Sequence, residues 1–251
     1  MQNLKSFNGI LSNNDSADAL SSSIYEVIRI RGGEPQFLAE HLDRLMQSAQ
    51  LTGIPLERGE VERQTAALLQ AAEPVDQNIR IDAMLDGSGI LIRPVASFYP
   101  APEVYRSGVE VLTYHYVRNN PHAKVSNPGL AAEAKRIREE KGVFEILLLD
   151  DAGDVTEGSR SNVFFISGDR VITSLPEQSL QGVTKQMVVK IAGDRLVERR
   201  IAASELASFD AAFLTGTSID LLPIRAIDEL RFDSANNTLY RRLLEQFLRS
   251  R

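Results

Sequence analysis

The sequence has no cysteine and only three histidines in 251 residues. The lack of cysteine excludes a disulfide scaffold and a thiolate metal site. The histidines are scattered and form no HExxH pattern, so we expect no metal and no zinc hydrolase. The glycine fingerprint of a dinucleotide-binding fold is missing as well.

The chain also lacks an apolar run long enough to span a bilayer, and its first residues, MQNLKSFNGI, lack the apolar stretch of a signal peptide. Its formal net charge of -6 argues against non-specific nucleic-acid binding. Hydrophobic residues make up 43% and charged residues 25%, as in ordinary globular proteins. We therefore expect no membrane or nucleic-acid partner, and a cytoplasmic location is consistent with the lack of cysteine.

The first half of the chain mixes strand and helix periodicities. The segment 24–31, IYEVIRIR, alternates as a strand does, and Gly32-Gly33 ends it as a turn. One face of this strand carries Ile24, Glu26, Ile28 and Ile30, and the other carries Tyr25, Val27, Arg29 and Arg31. Helices are predicted over 37–51 and 57–72, and strands near 78–86, 90–98 and 108–116.

The stretch 117–126, VRNNPHAKVS, has no periodicity and divides the chain almost in half. We therefore predict an N-terminal α/β domain over 1–116, a connection over 117–126 and a second domain over 127–251. Asn127-Pro128 is typical of a helix N-cap and first helical residue. Strands near 144–150, 161–166, 170–173, 196–201 and 209–216 follow, with helices before Gly142, after Gly182 and over 237–249. Mixed elements in two halves indicate an α+β fold.

The chain has six lysines, and Lys124 alone lies in the connection, three residues before a helix N-cap. A nearby helix N-terminus and partial burial both favour a neutral amine, which is the form that Schiff-base chemistry needs. A solvated loop lysine has the same sequence pattern. The residues alone leave both interpretations open.

Two turns are suited to binding a phosphate. The segment 180–184, LQGVT, precedes a predicted helix, whose free N–H groups would face an anion, and the segment 215–218, TGTS, offers hydroxyls beside a glycine. Arg44 could add a guanidinium, and Glu157 could be a buried, paired carboxylate. Simple helix caps, an exposed helix arginine and a polar turn explain the same residues.

The order of these motifs resembles the class-IV, or fold-type-IV, pyridoxal-phosphate enzymes. These include branched-chain aminotransferases, D-amino-acid aminotransferases and 4-amino-4-deoxychorismate lyase. The family's GITR block reads GVTK here, with Lys185 in place of arginine. The matching stretches are YEVIR at 25–29, FLAEHLDRLMQSAQLTGI at 37–54, NPHAKVSN at 120–127, GVFEILLLDDAGDVTEGSRSNVFFI at 142–166, LQGVTK at 180–185 and FLTGTSIDLLPI at 213–224.

The resemblance implies a smaller N-terminal α/β domain, a C-terminal pseudo-barrel domain and an active site at their interface. It also implies pyridoxal 5'-phosphate as cofactor, with Lys124 as the Schiff-base and catalytic lysine and Glu157 paired with the pyridine nitrogen. The other implied cofactor contacts are Arg44, Val183, Thr184, Gly216 and Thr217 at the phosphate, with Gly182 in the same turn and Leu180 on the ring face.

The resemblance leaves several candidates for the substrate contacts. Tyr25 resembles the strand tyrosine of the family's pocket, and the alternation places Val27 and Arg29 on the same face. Candidates for the substrate carboxylate are Arg29, Arg93, Arg160 and the backbone at 216–218, which includes Ser218.

The implied reaction is amino transfer between an amino acid and a 2-oxo acid in a homodimer. The alternatives are pyruvate elimination from aminodeoxychorismate and a non-catalytic relative that binds a phosphorylated ligand.

Overall fold

The computed structural model describes residues 23–71, 75–118 and 120–251. Its helices are α1 (Leu38–Thr52), α2 (Arg58–Ala71), α3 (Pro102–Ser107), α4 (Pro128–Lys141), α5 (Val183–Ala192) and α6 (Thr238–Arg249). Its strands are β1 (Ser23–Arg31), β2 (Glu34–Pro35), β3 (Gln77–Met84), β4 (Ile90–Val95), β5 (Val109–His115), β6 (Glu145–Leu149), β7 (Val155–Gly158), β8 (Asn162–Ser167), β9 (Arg170–Thr173), β10 (Leu196–Glu198), β11 (Ala211–Gly216), β12 (Asp220–Ile227) and β13 (Leu230–Arg231). The mixed architecture confirms the predicted α+β class.

The N-terminal sheet is antiparallel, with the strand order β2-β1-β3-β4. Its inner face packs against α1 and buries Ile24, Ile28 and Ile30, as the alternation predicted. The opposite face places Tyr25 beside Asp82 and Val27 beside Arg80. One face of the sheet therefore builds the core, and the other remains for the functional site.

The second sheet has nine strands, ordered β10-β9-β8-β11-β12-β5-β6-β7, with β13 on β12. An isolated bridge joins Asp154, just before β7, to Ala202, shortly after β10. The N–H of Val155 also donates to the carbonyl of Ile201 at 2.7 Å. These contacts connect the two ends of the strand order, so the sheet curls into the predicted pseudo-barrel.

Both faces of the central strands are buried, which explains the continuous apolar run VFFI. Val163 and Phe165 of β8 face the interior of the curled sheet, whereas Phe164 and Ile166 pack toward α5 and α6. The helix α4 covers β6 on another side. It begins at Asn127, whose side chain accepts the N–H of Leu130 at 3.0 Å, as the Asn-Pro pattern predicted.

The strand predicted near 108–116 belongs to the second sheet. It forms β5, which pairs with β12 and β6. The change of sheet therefore falls between Val95 and Val109, before the connection at 117–126. The period of a strand indicates which face is buried but not which strand will pair with it. The short elements β7 and α3 and the strand β12 were not predicted either.

Candidate active site

Lys124 lies in the segment that crosses from one sheet to the other, and this segment is fixed to β1. The N–H of Tyr25 donates to the carbonyl of Lys124 at 2.9 Å, and the N–H of Lys124 donates to Ser48 Oγ at 3.1 Å. An antiparallel bridge between Ile24 and Val125 continues the pairing. The backbone of the lysine is thus held from two elements, so its side chain enters the site from a defined position.

The amine of Lys124 is partly buried beside an aromatic ring, with Nζ 4.6 Å from the centroid of Tyr25. Burial lowers the pKa of Lys124, the Tyr25 phenol opposes this, and the Arg44 guanidinium adds to it. The Lys124 amine in turn lowers the pKa of Tyr25. The environment therefore favours the neutral amine, which supports the functional interpretation of Lys124 over the solvated one.

Glu157 lies on β7 and is buried, with a relative exposure of 3%. Its Oε2 accepts the N–H of Leu180 at 3.1 Å, and its Oε1 lies 2.9 Å from Nε of Arg118 without an aligned hydrogen bond among the described residues. Burial raises the pKa of Glu157, and the charge of Arg118 opposes that effect. One carboxylate oxygen is thus left able to accept a further hydrogen bond.

Lys124 and Glu157 line one cavity, and the N-terminus of α5 lines it as well. This helix N-terminus has no side-chain cap. Gly182 is the N-cap residue and supplies no side-chain cap, so the first N–H groups of the helix, at Val183 and Thr184, have no intrahelical acceptor. A Cβ on Gly182 would lie 2.2 Å from Oδ1 of Asn162, so a larger residue would displace the side chain that donates to the Leu180 carbonyl. The Gly182 turn and the N–H groups of Val183 and Thr184 thus form a cradle that can bind an anion.

The turn after β11 faces this helix N-terminus. Thr215, Gly216 and Thr217 line the cavity, and Oγ1 of Thr215 is buried without a hydrogen-bond partner in the part of the chain that the structure describes. A Cβ on Gly216 would lie 3.3 Å from Ile219. Free hydroxyl and N–H donors therefore face the same space from both turns.

Arg44 lines the cavity, but its guanidinium is already paired. Nε and Nη2 donate to the two oxygens of Glu26 at 2.6 and 2.7 Å, and His41 Nδ1 lies 2.8 Å from Glu26. Nη1 also donates to the carbonyl of Gln181 at 3.4 Å. Burial raises the pKa of Glu26, but the charges and hydrogen bonds of Arg44 and His41 together outweigh it, and the pKa falls to about 2. A buried carboxylate thus orients Arg44 at the edge of the cradle.

The cavity encloses about 520 Å³ outside the protein atoms, and part of this volume is open solvent. All nine residues predicted to contact the cofactor line it, as does Thr215 of the predicted phosphate turn, whereas Arg118 and Asn162 are additions that the sequence patterns did not indicate. The lining comprises Tyr25, Arg44, Arg118, Lys124, Glu157, Ser159, Arg160, Ser161, Asn162, Leu180, Gly182, Val183, Thr184, Thr215, Gly216 and Thr217.

The predicted substrate residues are distributed less compactly. Tyr25 and Arg160 line the cavity. Arg29 lies in an adjoining cavity, where Nη1 is 3.2 Å from Oδ2 of Asp220. Arg93 on β4 lies 3.9 Å from Asp82.

Two further substrate predictions belong to the N-terminal sheet and the turn that faces it. Val27 shares the outer face with Tyr25 but is not part of the cavity lining. Ser218 Oγ accepts the side-chain amide of Asn78 at 2.7 Å. Ser218 therefore joins the turn at 215–218 to β3.

The donor set fits pyridoxal phosphate. An amine of lowered pKa suits its aldehyde, the free oxygen of Glu157 suits its pyridine nitrogen, and the two turns suit its phosphate. Within 23–71, 75–118 and 120–251, no group of three or more His, Asp or Glu is arranged to hold a metal. None of the helices described there is long and apolar enough to cross a membrane.

Comparison with known proteins identifies the family of the chain. The family described as "Amino-transferase class IV" matches residues 23–227. The "probable branched-chain-amino-acid aminotransferase" of Thermotoga maritima is 31% identical over 225 residues, which cover 85% of this chain and 80% of that protein. The D-alanine aminotransferase of Bacillus licheniformis is 29% identical over 233 residues, covering 82% and 78%.

A solved structure shares the fold. The PLP-bound form of a hypothetical aminotransferase from Mycobacterium tuberculosis superposes with a TM-score of 0.82 at 20% identity, covering 98% of this chain and 95% of that one. The chain therefore has the fold of these enzymes, and the family match shows that it belongs to the class IV aminotransferases. Members of this class are pyridoxal-phosphate-dependent enzymes.

Proposed function

We propose that this enzyme transfers an amino group between an amino acid and a 2-oxo acid, and that Lys124 is the amine that holds the cofactor. A single observation supports this assignment. One cavity joins the Lys124 amine, the Glu157 carboxylate and the open N-terminus of α5. When bound, pyridoxal phosphate supplies an aldehyde and a ring that withdraws electrons from the substrate's α-carbon.

Lys124 has the chemistry for the proton transfer. Burial lowers the pKa of its amine, which favours the neutral form that can accept a proton. Nζ would take the α-proton of the substrate as general base and return a proton as general acid. The two backbone contacts at Tyr25 and Ser48 keep this amine within the cavity.

Glu157 holds a proton on the ring nitrogen. Its Oε1 has no aligned hydrogen bond within the described protein and accepts from that nitrogen in our assignment. Arg118 lies 2.9 Å from the same oxygen and opposes the effect of burial on the pKa of Glu157. Arg118 thus favours the ionised carboxylate, which is the form that keeps the ring nitrogen protonated.

The phosphate is assigned to the cradle formed by the N–H groups of Val183 and Thr184 and the turn at Gly216 and Thr217. An α-helix N-terminus carries a partial positive charge, which favours a phosphate there. Arg44 contributes positive charge at the edge of the cradle while it remains paired with Glu26. Leu180 is assigned to the ring face.

Substrate recognition is assigned to the outer face of the N-terminal sheet and to the cavity mouth. Tyr25 and Arg160 line the cavity and are the best supported of the predicted set. Four residues stay predictions, because they lie on the same side of the molecule as the cavity but do not line it. They are Val27, Arg29, Arg93 and Ser218.

The colour of the protein tests the cofactor assignment. We expect purified protein reconstituted with pyridoxal phosphate to be yellow and to bleach with borohydride, because a Schiff base is reduced irreversibly. Borohydride should attach the cofactor covalently to wild type and to Lys141→Ala, at an exposed position on α4, but not to Lys124→Ala, as measured by the mass of the intact protein. A Lys124→Ala protein that still gains the mass of the reduced cofactor would contradict the assignment.

The reaction itself is tested by supplying two kinds of substrate separately. Amino donors with 2-oxoglutarate or pyruvate should yield the corresponding products, and the donor panel should include L- and D-amino acids. Aminodeoxychorismate alone tests the lyase alternative. Formation of 4-aminobenzoate without any keto acceptor would replace the transaminase proposal, and a colourless protein that cannot be reconstituted would favour the non-catalytic relative.

A homodimer and a cytoplasmic location belong to the same proposal. The dimer is suggested by the resemblance to class-IV enzymes, and the location by the absence of cysteine. Light scattering coupled to size-exclusion chromatography should give twice the chain mass of 27.8 kDa. A mass equal to one chain would contradict the dimer.

A further inference from the structure

Lys185 is a fully buried cation with no role in the chemistry described above. It lies in the first turn of α5 and has a relative exposure of 0%, whereas Lys190 on the same helix is exposed. Burying an amine costs free energy unless its hydrogens find acceptors. The contacts of Lys185 therefore indicate what its burial achieves.

The amine of Lys185 closes the base of a loop. Nζ donates to Ser179 Oγ at 2.9 Å and to the carbonyl of Ser174 at 3.5 Å. Ser174 Oγ also donates to Ser179 Oγ at 3.0 Å. Ser174 directly follows β9 and Ser179 directly precedes Leu180, so these contacts join the two ends of the loop 174–179.

The residue after this loop forms one wall of the cavity. The N–H of Leu180 donates to Glu157 Oε2 at 3.1 Å, and its carbonyl accepts the side-chain amide of Asn162 at 2.8 Å. Gly182, two residues later, is the N-cap of the helix that forms the phosphate cradle. A shift of Ser179 would thus be transmitted to the carboxylate beside the ring nitrogen and to the cradle together.

Electrostatics points to the same connection. Burial lowers the pKa of Lys185, while Glu198 and Glu157 oppose this. Its direct acceptors are a hydroxyl and a carbonyl rather than a carboxylate. A partner that neutralises the charge of a buried lysine would be a carboxylate. Because both acceptors here are uncharged and lie at the two ends of the loop, they indicate that the amine positions the loop.

We propose that Lys185 is a positioning residue for the cofactor site. It holds the loop 174–179 closed, and thereby keeps the Leu180 N–H against Glu157 and the Gly182 turn in register with the turn at 216–217. Its significance for catalysis rests on the proposed function, but its effect on the loop does not.

The test compares Lys185→Met, Lys185→Arg and Ser179→Ala with the matched surface variant Lys190→Met. Hydrogen exchange of the cofactor-free protein, followed by mass spectrometry, measures loop closure without any reaction. We expect peptides covering 174–182 to exchange faster in Lys185→Met and Ser179→Ala than in wild type. Lys185→Arg should restore part of the protection, since it keeps a buried donor, and Lys190→Met should match wild type.

Two cofactor readouts separate positioning from simple stability. The dissociation constant for pyridoxal phosphate should rise about tenfold in Lys185→Met and Ser179→Ala, the size expected when a hydrogen bond to a charged group is lost. The pH dependence of the bound chromophore's absorbance should also shift, because the environment of Glu157 changes. Lys190→Met should change neither readout.

Unchanged exchange at 174–182 in both Lys185→Met and Ser179→Ala would overturn the proposal. If Lys185→Met fails to fold, Ser179→Ala decides alone, because it keeps the amine and removes one acceptor. Cofactor binding by wild type and Lys124→Ala tests the proposed function, whereas hydrogen exchange at 174–182 tests the role of Lys185. A wild type that never binds pyridoxal phosphate contradicts the proposed function, yet its loop exchange still tests Lys185.

Discussion

Replacing Glu26 by glutamine removes one negative charge from the interior while keeping the shape of the side chain. Glu26 is fully buried and accepts two hydrogen bonds from Arg44, while His41 contacts it at 2.8 Å. After the substitution, the Arg44 guanidinium stays buried without a counter-charge. We therefore expect Glu26→Gln to destabilise the folded protein strongly.

The magnitude follows from the structure in two ways. Breaking a buried, hydrogen-bonded ion pair by removing one partner costs about 3–5 kcal/mol. The pKa of Glu26 falls from its ordinary value of 4.5 to about 2, which corresponds to about 3 kcal/mol favouring the ionised form in the fold. Because the folded-state pKa is the lower one, this contribution is fully present above pH 4.5 and is lost as the pH falls toward 2.

Urea unfolding of the cofactor-free protein at pH 7, followed by circular dichroism, measures the loss. Glu62→Gln is the matched control, because Glu62 forms an exposed ion pair with Arg58 at 2.8 Å and should cost less than about 1 kcal/mol. The difference between wild type and Glu26→Gln should shrink when the titration is repeated in acid. A loss below about 1 kcal/mol at pH 7, equal to that of Glu62→Gln, would refute the reasoning.

Other substitutions test the cavity and the core. Glu157→Gln should keep the bound cofactor but lower kcat roughly 100-fold or more, measured by steady-state amino transfer, because the ring nitrogen loses its anionic partner. Gly182→Ala should weaken cofactor binding in a fluorescence titration, since its Cβ would lie 2.2 Å from Asn162 Oδ1, whereas Gly59→Ala, with open space around the added Cβ, should leave binding unchanged. Tyr240→Phe removes a buried hydroxyl that donates to a β12 carbonyl at 3.0 Å and should cost about 1 kcal/mol in urea unfolding.

Local patterns predicted the elements that hold the site. The Asn-Pro cap and Gly142 fixed the limits of α4 in advance, because capping depends on neighbouring residues alone. The alternation in IYEVIRIR correctly separated the buried face of β1 from the face that carries Tyr25. The resemblance, rather than the periodicity, singled out Lys124 and Glu157 among residues whose patterns also fit solvent-exposed positions.

The same local patterns could not predict contacts between residues that are distant in the sequence. Arg118 precedes Glu157 by 39 positions, yet the two side chains meet at 2.9 Å because β7 pairs with β6 beside the connection. The pairing of β5 with β12 likewise depends on residues more than 100 positions away. The sequence does carry one signal of the buried ion pair. Glu26 is the single charged residue on an otherwise apolar face of β1, and an isolated charge there requires a buried partner.

The attachment of Lys124 to β1 has a mechanical consequence. Its backbone is hydrogen-bonded to Tyr25 and Ser48, so its amine moves with the smaller sheet, whereas Glu157 and the helix N-terminus at Gly182 move with the larger one. Any hinge motion between the sheets would separate the amine from the carboxylate. A ligand that is bonded to the amine and also held by its phosphate would connect the two sheets. Its binding would therefore restrict their relative motion and stiffen the whole molecule.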